Sequence, residues 1–137
     1  MVLNYPALDL YARYDLPGDS PFPGMSASTA KKISPLQLMK KGIPPTLVVC
    51  GTADTNCKNC RIFVDKGKKL GARVEGFWAE GQPHAFFGRP GWFEKVMART
   101  DAFFVSIGFL APVAEGADAP AVPAKVKKSG KKGGGKK

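Results

Sequence analysis

Two side chains of this sequence, Asp54 and His84, have the types that acid–base chemistry requires. Asp54 follows the apolar run "TLVVC" in "GTAD", and His84, the one histidine of the chain, follows "RVEGFWA" in "EGQPH". Histidine is the usual general base near neutral pH. A neighbouring carboxylate can accept the imidazole Nδ1–H, which fixes the tautomer and stabilises the imidazolium. The two residues therefore predict an acid–base pair if the fold brings their loops together.

Alternating strands and helices are predicted around this pair. Buried strands are expected at "MVLNY", at 46–50 and at "RVEGFWA". Helices are expected over "SPLQLMKKG" with Ser34 as N-cap, over about 56–70, and over 91–108. The proline-rich stretch 6–30 is expected to be a long irregular connection. This alternation predicts an α/β fold of about three parallel strands with right-handed crossover helices.

The predicted sheet gives the pair a common location. In open parallel sheets, functional residues lie outside the carboxyl ends of the strands. Asp54 and His84 each follow such an end, so adjacent strands would bring them together. Structural alternatives remain: Asp54 caps the following helix, and His84 is a satisfied residue at the rim.

The net charge of +10 is unevenly distributed along the 137 residues. Residues 111–137 contain seven lysines, two acids and no aromatic residue, and they carry half of that charge. We expect a folded unit over 1–110 and a disordered Ala/Pro/Gly/Lys-rich tail over 111–137. The tail is interpreted as a solubilising segment, or alternatively as an arm that binds nucleic acids weakly and without sequence preference.

Apolar runs and cysteines in the sequence bear on the location of the protein and on its cofactors. There is no apolar run long enough to span a membrane and no signal-peptide pattern, and the three cysteines are interpreted as reduced thiols of a cytoplasmic protein. Cys50, Cys57, Cys60 and His84 nominally supply a Cys₃His zinc set, but their spacing is not that of a zinc finger. A thioredoxin-like redox role for "CKNC" is equally disfavoured. We expect a core Cys50, two cysteines in a first helical turn, and no metal or cofactor.

Several segments resemble the C-terminal half of α/β-hydrolase esterases, in particular the hormone-sensitive-lipase-like and acetyl-esterase branch. They are "VLNYPALDL", "ISPL", "PPTLVVCGTADTN", "GARVEGFWAEGQPHAFF" and "DAFFVSIGFL", which occur in family order over residues 2–110. The resemblance implies a partial α/β-hydrolase fold and esterase chemistry on a small ester. It also implies that Asp54 is the triad acid and His84 the triad base.

The sequence departs from the family at two places. The family usually has glycine at position 85, where this chain has Ala85, whose methyl group would crowd the backbone near the histidine. The larger departure is that these residues contain neither G-x-S-x-G, the nucleophile elbow, nor an HGGG-type segment for the oxyanion hole. The nearest match, "GMSAS" around Ser26, follows the wrong kind of sequence in the wrong topological position, so Ser26 is disfavoured as a nucleophile.

These departures lead to two hypotheses about function. The first is an esterase-like hydrolase whose acid and base are present and whose nucleophile is absent from this chain, so that the chain alone is inactive. The second is a non-catalytic remnant or scaffold that uses its lysine-rich tail for acidic partners. The first strand is expected to have an open edge, available for self-association or for a complementing chain. A truncated product and a genuine short protein are both compatible with the sequence.

Overall fold

A computed structural model describes residues 1–11 and 25–112 of the chain. Its centre is a parallel sheet of β1 (Val2–Asn4), β2 (Thr46–Gly51) and β3 (Val74–Ala79), in the order β1-β2-β3. Leu47 pairs with Val2 on one side and with Glu75 on the other. The prediction of an α/β fold with about three parallel strands and crossover helices is confirmed.

The helices lie between and after these strands. In chain order they are α1 (Ala27–Ile33), α2 (Pro35–Leu38), α3 (Cys57–Lys69) and α4 (Trp92–Ser106), with a 3₁₀ turn at Phe86–Gly88. The sequence located α3 and α4 to within about two residues. It missed α1, because the first four residues of "ASTAKKI" were assigned to the irregular connection 6–30 and the last three to no element. Residues 12–24 of that connection lie outside the described residues.

The segment "SPLQLMKKG" forms a shorter helix than predicted. Helix α2 ends at Leu38, so the two lysines that were expected to close it lie beyond its end. Ser34 stands at the N-cap position, but its side chain does not cap the helix. Its Oγ instead donates to the carbonyl of Ala30 at 2.7 Å and accepts from the amides of Leu10 and Tyr11 at 2.9 and 3.1 Å. The hydroxyl thereby joins the segment after β1 to helix α1.

Strand β2 is the centre of the core, since all six of its residues are buried. Its side chains alternate between two faces, as a strand requires. Val48 and Cys50 pack with α2 and α3 on one face, whereas Leu47 and Val49 pack with α4 on the other. The carboxyl end of β2 is therefore fixed from both sides, and the Asp54 loop begins there.

Both long helices are held tightly to β3. Gly67 of α3 lies so close to the strand that a Cβ there would be 2.5 Å from Val74 Cγ2, which explains a glycine that weakens the helix by about 1 kcal/mol. On the other face, Arg99 of α4 pairs with Glu75. The hydrogen bond from Arg99, helped by Arg73, holds the pKa of Glu75 below its usual value.

Three further expectations concern a membrane-spanning helix, the boundary of the tail and the open edge of the first strand. No helix within residues 1–11 and 25–112 has the length and apolar character needed to cross a membrane. The predicted disordered tail lies outside the described residues except at positions 111 and 112, so the domain boundary at residue 110 stays a prediction. Strand β1 pairs with β2 alone among the strands of the described part, which leaves its other edge open there.

Candidate active site

Asp54 lies in the loop that leaves the carboxyl end of β2, and its side chain is only 1% exposed. The loop turns tightly, with the Asp54 amide donating to the carbonyl of Gly51 at 3.1 Å. The carbonyl of Asp54 then accepts from the amide of Cys57, the first residue of α3, at 2.9 Å. Strand, turn and helix thus fix the acid through contacts that are close in sequence.

The two carboxylate oxygens of Asp54 have different partners. Oδ1 accepts from the backbone amide of Asn56 at 2.8 Å, and Oδ2 lies 2.8 Å from Nδ1 of His84. The expectation that Asp54 caps the helix is not met, because the N-cap of α3 is Asn56. The Asp54 side chain instead supports the turn before α3 and contacts the histidine. Such charge-assisted bonds offset the cost of burying a carboxylate.

His84 is placed at the neighbouring strand end, after β3, and its side chain is 60% exposed. An ionised Asp54 can only accept, so Nδ1 carries the proton of the hydrogen bond between them. In the neutral ring, Nε2 is then the nitrogen that can take up a proton. The structure brings the two predicted site residues together in the arrangement of the acid and base of a triad.

The loops of the acid and the base are joined directly. The amide of Ala53 donates to the carbonyl of Gln82 at 3.0 Å, and the amide of Gly81 donates to Oγ1 of Thr52 at 2.8 Å. Gly51 makes this approach possible, because a Cβ there would be 2.1 Å from the Gln82 carbonyl oxygen. Gly51 was predicted only as a turn after the strand, although a glycine directly after a buried strand is typical of close backbone approach.

The backbone after His84 is strained. Ala85 has φ of 56°, in the left-handed region that favours glycine. A glycine suits this position because it adopts a left-handed φ without strain. The expectation from the sequence was different, namely that the methyl group of Ala85 crowds the backbone. The chain then enters the 3₁₀ turn, in which Phe86 is fully buried and anchors the loop in the core on the α4 side.

Tyr5 completes the surroundings of His84 and was given no role from the sequence. Its hydroxyl accepts from the amide of Phe87 at 2.6 Å, and its ring centroid lies 5.4 Å from that of His84. Burial raises the pKa of the Tyr5 phenol, against an opposing effect of the Phe87 hydrogen bond. Its position at the end of a strand and before a proline was the available signal, but its partner lies 82 residues away in sequence.

The cysteines are arranged as core residues. All three are buried free thiols, with Cys57 and Cys60 in the first turn of α3 as expected. The Cys50 thiol donates to Oδ2 of Asp54 at 3.7 Å. A hydrogen bond with Cys60, burial and the nearby carboxylate all raise the pKa of Cys50, so its thiol stays protonated. Within the described residues no group of three His, Cys, Asp or Glu side chains is placed to hold a metal ion.

Ser26, which the sequence disfavoured as a nucleophile, has a structural role. Ser26 is the N-cap of α1, and its Oγ accepts from the Thr29 amide at 3.1 Å and pairs with the Thr29 hydroxyl at 2.9 Å. It is a helix cap of the ordinary kind. No other serine was a candidate nucleophile from the sequence.

Solved structures similar to this chain come from an esterase of the planctomycete Thermogutta terrifontis. The native form of its esterase 2 is 38% identical, with a TM-score of 0.60, over 64% of this chain and 33% of that chain. The form phosphoramylated by tabun is 32% identical, with a TM-score of 0.66, over 82% of this chain and 42% of that chain. The described residues form part of an α/β-hydrolase esterase fold.

The likeness to the esterase is partial in extent. This chain spans between about a third and two fifths of the length of the esterase structures that it matches. No family model and no curated protein matches the sequence. The predicted resemblance to part of an α/β-hydrolase esterase is thus confirmed at the level of fold, whereas the catalytic roles of Asp54 and His84 remain a proposal.

Proposed function

We propose that this chain supplies the acid and the base of a carboxylic-ester hydrolase of the Ser-Asp-His type. The observation that supports this most is the 2.8 Å contact between a buried carboxylate and an exposed imidazole at neighbouring strand ends of a partial esterase fold. Asp54 orients the ring, and His84 is the general base. This is the division of roles that a triad requires.

The proposed chemistry follows from the orientation of the ring. Nε2 of His84 takes the proton of an attacking hydroxyl as that oxygen bonds to the ester carbonyl carbon. The imidazolium, stabilised by Asp54, then returns the proton to the departing alkoxide, and water repeats the cycle on the acyl group. Esterase 2 has been observed with propionate and with butyrate bound, which supports esters of short carboxylic acids as the substrate class.

The nucleophile and the oxyanion hole come from residues other than these 137, in a longer protein or in a second chain. The sequence contains no G-x-S-x-G, and the outer edge of β1 is unpaired among the described strands. An unpaired parallel edge exposes backbone donors and acceptors that another strand can bind. A strand of the part that carries the nucleophile, in the same longer protein or in a second chain, is the partner we propose for this edge.

The chain alone should therefore be inactive. It should hydrolyse p-nitrophenyl acetate no faster than its His84→Ala variant, because a base without nucleophile and oxyanion hole provides little rate enhancement. Turnover by the isolated chain that disappears in Ser26→Ala would overturn the proposal and make Ser26 the nucleophile.

A chimera tests the roles of the acid and the base directly. The part of Thermogutta terrifontis esterase 2 that aligns with this chain is replaced by residues 1–112, and hydrolysis of p-nitrophenyl butyrate is measured. His84→Ala and Asp54→Asn should each lower kcat by about 10³-fold or more. Glu94→Ala, on the exposed first turn of α4, is the matched control and should leave kcat unchanged. Equal rates for the chimera and its His84→Ala variant would refute the proposal.

The uneven charge supports a second candidate function, binding of an acidic partner through the tail. Residues 111–137 carry half of the net charge of +10. Binding to a DNA duplex should then weaken steeply with salt and disappear when 113–137 are removed. Equal binding with and without the tail would exclude this function.

A further inference from the structure

Tyr5 adopts a conformation that requires an explanation. Its φ is 49°, and Tyr5 and Ala85 are the two non-glycine residues with left-handed φ in the described part of the chain. A bulky side chain in this region is a genuine outlier and is energetically unfavourable. Strain of this kind persists where surrounding contacts determine the conformation, and these two residues both contact or adjoin His84.

The contacts of Tyr5 link all three strand ends. Its amide donates to the carbonyl of Val49 in β2 at 2.9 Å, which fixes the turn at the end of β1. Its ring lies edge-on to Phe86, with centroids 5.2 Å apart, and tilted by 56° against the imidazole of His84. Its hydroxyl accepts from the Phe87 amide at 2.6 Å. One side chain therefore contacts His84 and the two phenylalanines of the turn that follows it.

We propose that Tyr5 is a positioning residue for His84. Its hydroxyl holds the backbone at Phe87 and its ring supports the imidazole, so that Nδ1 remains on Asp54. The catalytic consequence of this positioning rests on the proposed function. The orientation of the His84 ring does not depend on it. It can be measured in the isolated chain without any turnover.

The hydroxyl separates positioning from simple packing. A tyrosine that only filled the core between Phe86 and the sheet could be replaced by phenylalanine with little effect. Tyr5→Phe keeps the ring and the volume but removes the acceptor of the Phe87 amide. Removing one partner of a partly buried hydrogen bond weakens the arrangement that the bond supports, and we expect a change of about three- to tenfold in that equilibrium.

The experiment measures the tautomers of His84 by ¹³C and ¹⁵N NMR of the neutral ring, which is simple because the chain has one histidine. In the wild type the form protonated at Nδ1 should predominate, because that nitrogen donates to Asp54. In Tyr5→Phe the ratio of Nδ1–H to Nε2–H forms should fall about three- to tenfold, and in Tyr5→Leu further. Tyr11→Phe makes the same chemical change next to Lys31 and Ser34 and should leave the ratio unchanged.

Hydrogen exchange in Tyr5→Phe gives a second readout, which can be measured even if Tyr5→Leu does not fold. The Phe87 amide should exchange about three- to tenfold faster in Tyr5→Phe than in the wild type, and at the wild-type rate in Tyr11→Phe. In the esterase chimera, Tyr5→Phe should lower kcat severalfold with KM unchanged. Wild-type tautomer ratio and exchange rate in Tyr5→Phe would overturn the positioning role. A different result would refute only the proposed function: Tyr5→Phe loses the tautomer preference, but hydrolysis by the chimera is unchanged in His84→Ala.

Discussion

The loops that carry Asp54 and His84 lie side by side but are built in different ways. Asp54 follows the central strand, its side chain is 1% exposed, and its other partners, among them Cys50, Asn56 and Cys57, are within four residues. His84 follows β3, which is an edge strand of the sheet in the described part of the chain, and its side chain is 60% exposed. The residues that hold its loop come from other elements: Tyr5 from the end of β1 and Ala53 from the acid's own loop.

This difference separates two ways of positioning a functional group. The acid is fixed by local structure, namely a buried strand, a tight turn and a helix start, and it would stay in place if the histidine were absent. The base is fixed by contacts between segments that are distant in sequence. We therefore expect changes at the junction between the loops to displace His84 far more than Asp54.

Gly51→Ala should have the largest effect. The added Cβ would be 2.1 Å from the Gln82 carbonyl oxygen and 2.8 Å from that of Pro83, and both are backbone atoms that cannot rotate away. We expect a loss of about 3 kcal/mol in the free energy of unfolding, at the upper end for overpacking. Urea denaturation measures the loss, and an NMR spectrum of His84 reports its displacement.

Gly88→Ala is the matched control for this substitution. Gly88 lies in the turn after His84, has no left-handed φ, and a Cβ there would meet nothing within 4 Å. It should change the unfolding free energy by less than about 0.5 kcal/mol. Similar losses in the two variants would show that the close approach of the loops is not what Gly51 provides.

Alanine substitutions at the acid and the base should have unequal effects on stability. Asp54→Ala removes the acceptor of the Asn56 amide in the turn before α3, and we expect a loss of about 1–3 kcal/mol. His84→Ala removes a largely exposed ring and lets water reach the carboxylate, so less than about 1 kcal/mol should be lost. Thermal denaturation of both variants tests this. A larger loss for His84→Ala would reverse the proposed order of dependence.

The same contrast shows which features could be predicted from the sequence. The strand before Asp54, the helix after it and the position of His84 at a strand end follow from apolar periodicity and turn residues, which are local patterns. The contacts of Tyr5 and Gly51 and the left-handed φ of Ala85 could not be predicted, because they depend on neighbours that only the folded chain provides. Helix α1 was missed for a different reason, since its seven-residue sequence is too short to show apolar periodicity.

Alanine-to-glycine substitutions should have opposite signs in the two loops. Ala85→Gly removes the strain of a left-handed φ of 56°, and we expect a gain of about 0.5–1 kcal/mol after the added entropy of the unfolded chain is counted. Ala53, in the acid's loop, is not among the residues with left-handed φ, so Ala53→Gly should lose about 0.5–1 kcal/mol. A stability gain in both variants would contradict the assignment of strain to the His84 loop alone.

The smallest expected effect is a loosening of the His84 loop at alkaline pH. Burial raises the pKa of Tyr5 above its ordinary value of 10.0, because the phenolate is disfavoured in the folded protein. A group with a raised folded pKa contributes stability that is complete below the unfolded pKa and is lost as the pH rises through the folded pKa. The stabilisation from Tyr5 should therefore be constant at neutral pH and should decrease above about pH 10.

Tyr5→Phe lacks the ionisable group, so the difference in unfolding free energy between wild type and Tyr5→Phe should shrink on going from about pH 8 to about pH 11. Tyr11→Phe controls for titration of lysines and other groups, which all three proteins share. Because burial disfavours the phenolate, the ionised ring should move toward water and break its hydrogen bond with the Phe87 amide. That amide should then lose protection, whereas the Cys57 amide, bonded to Asp54, should not. A difference that grows with pH would mean that the phenolate is favoured in the fold, and that burial does not dominate the environment of Tyr5.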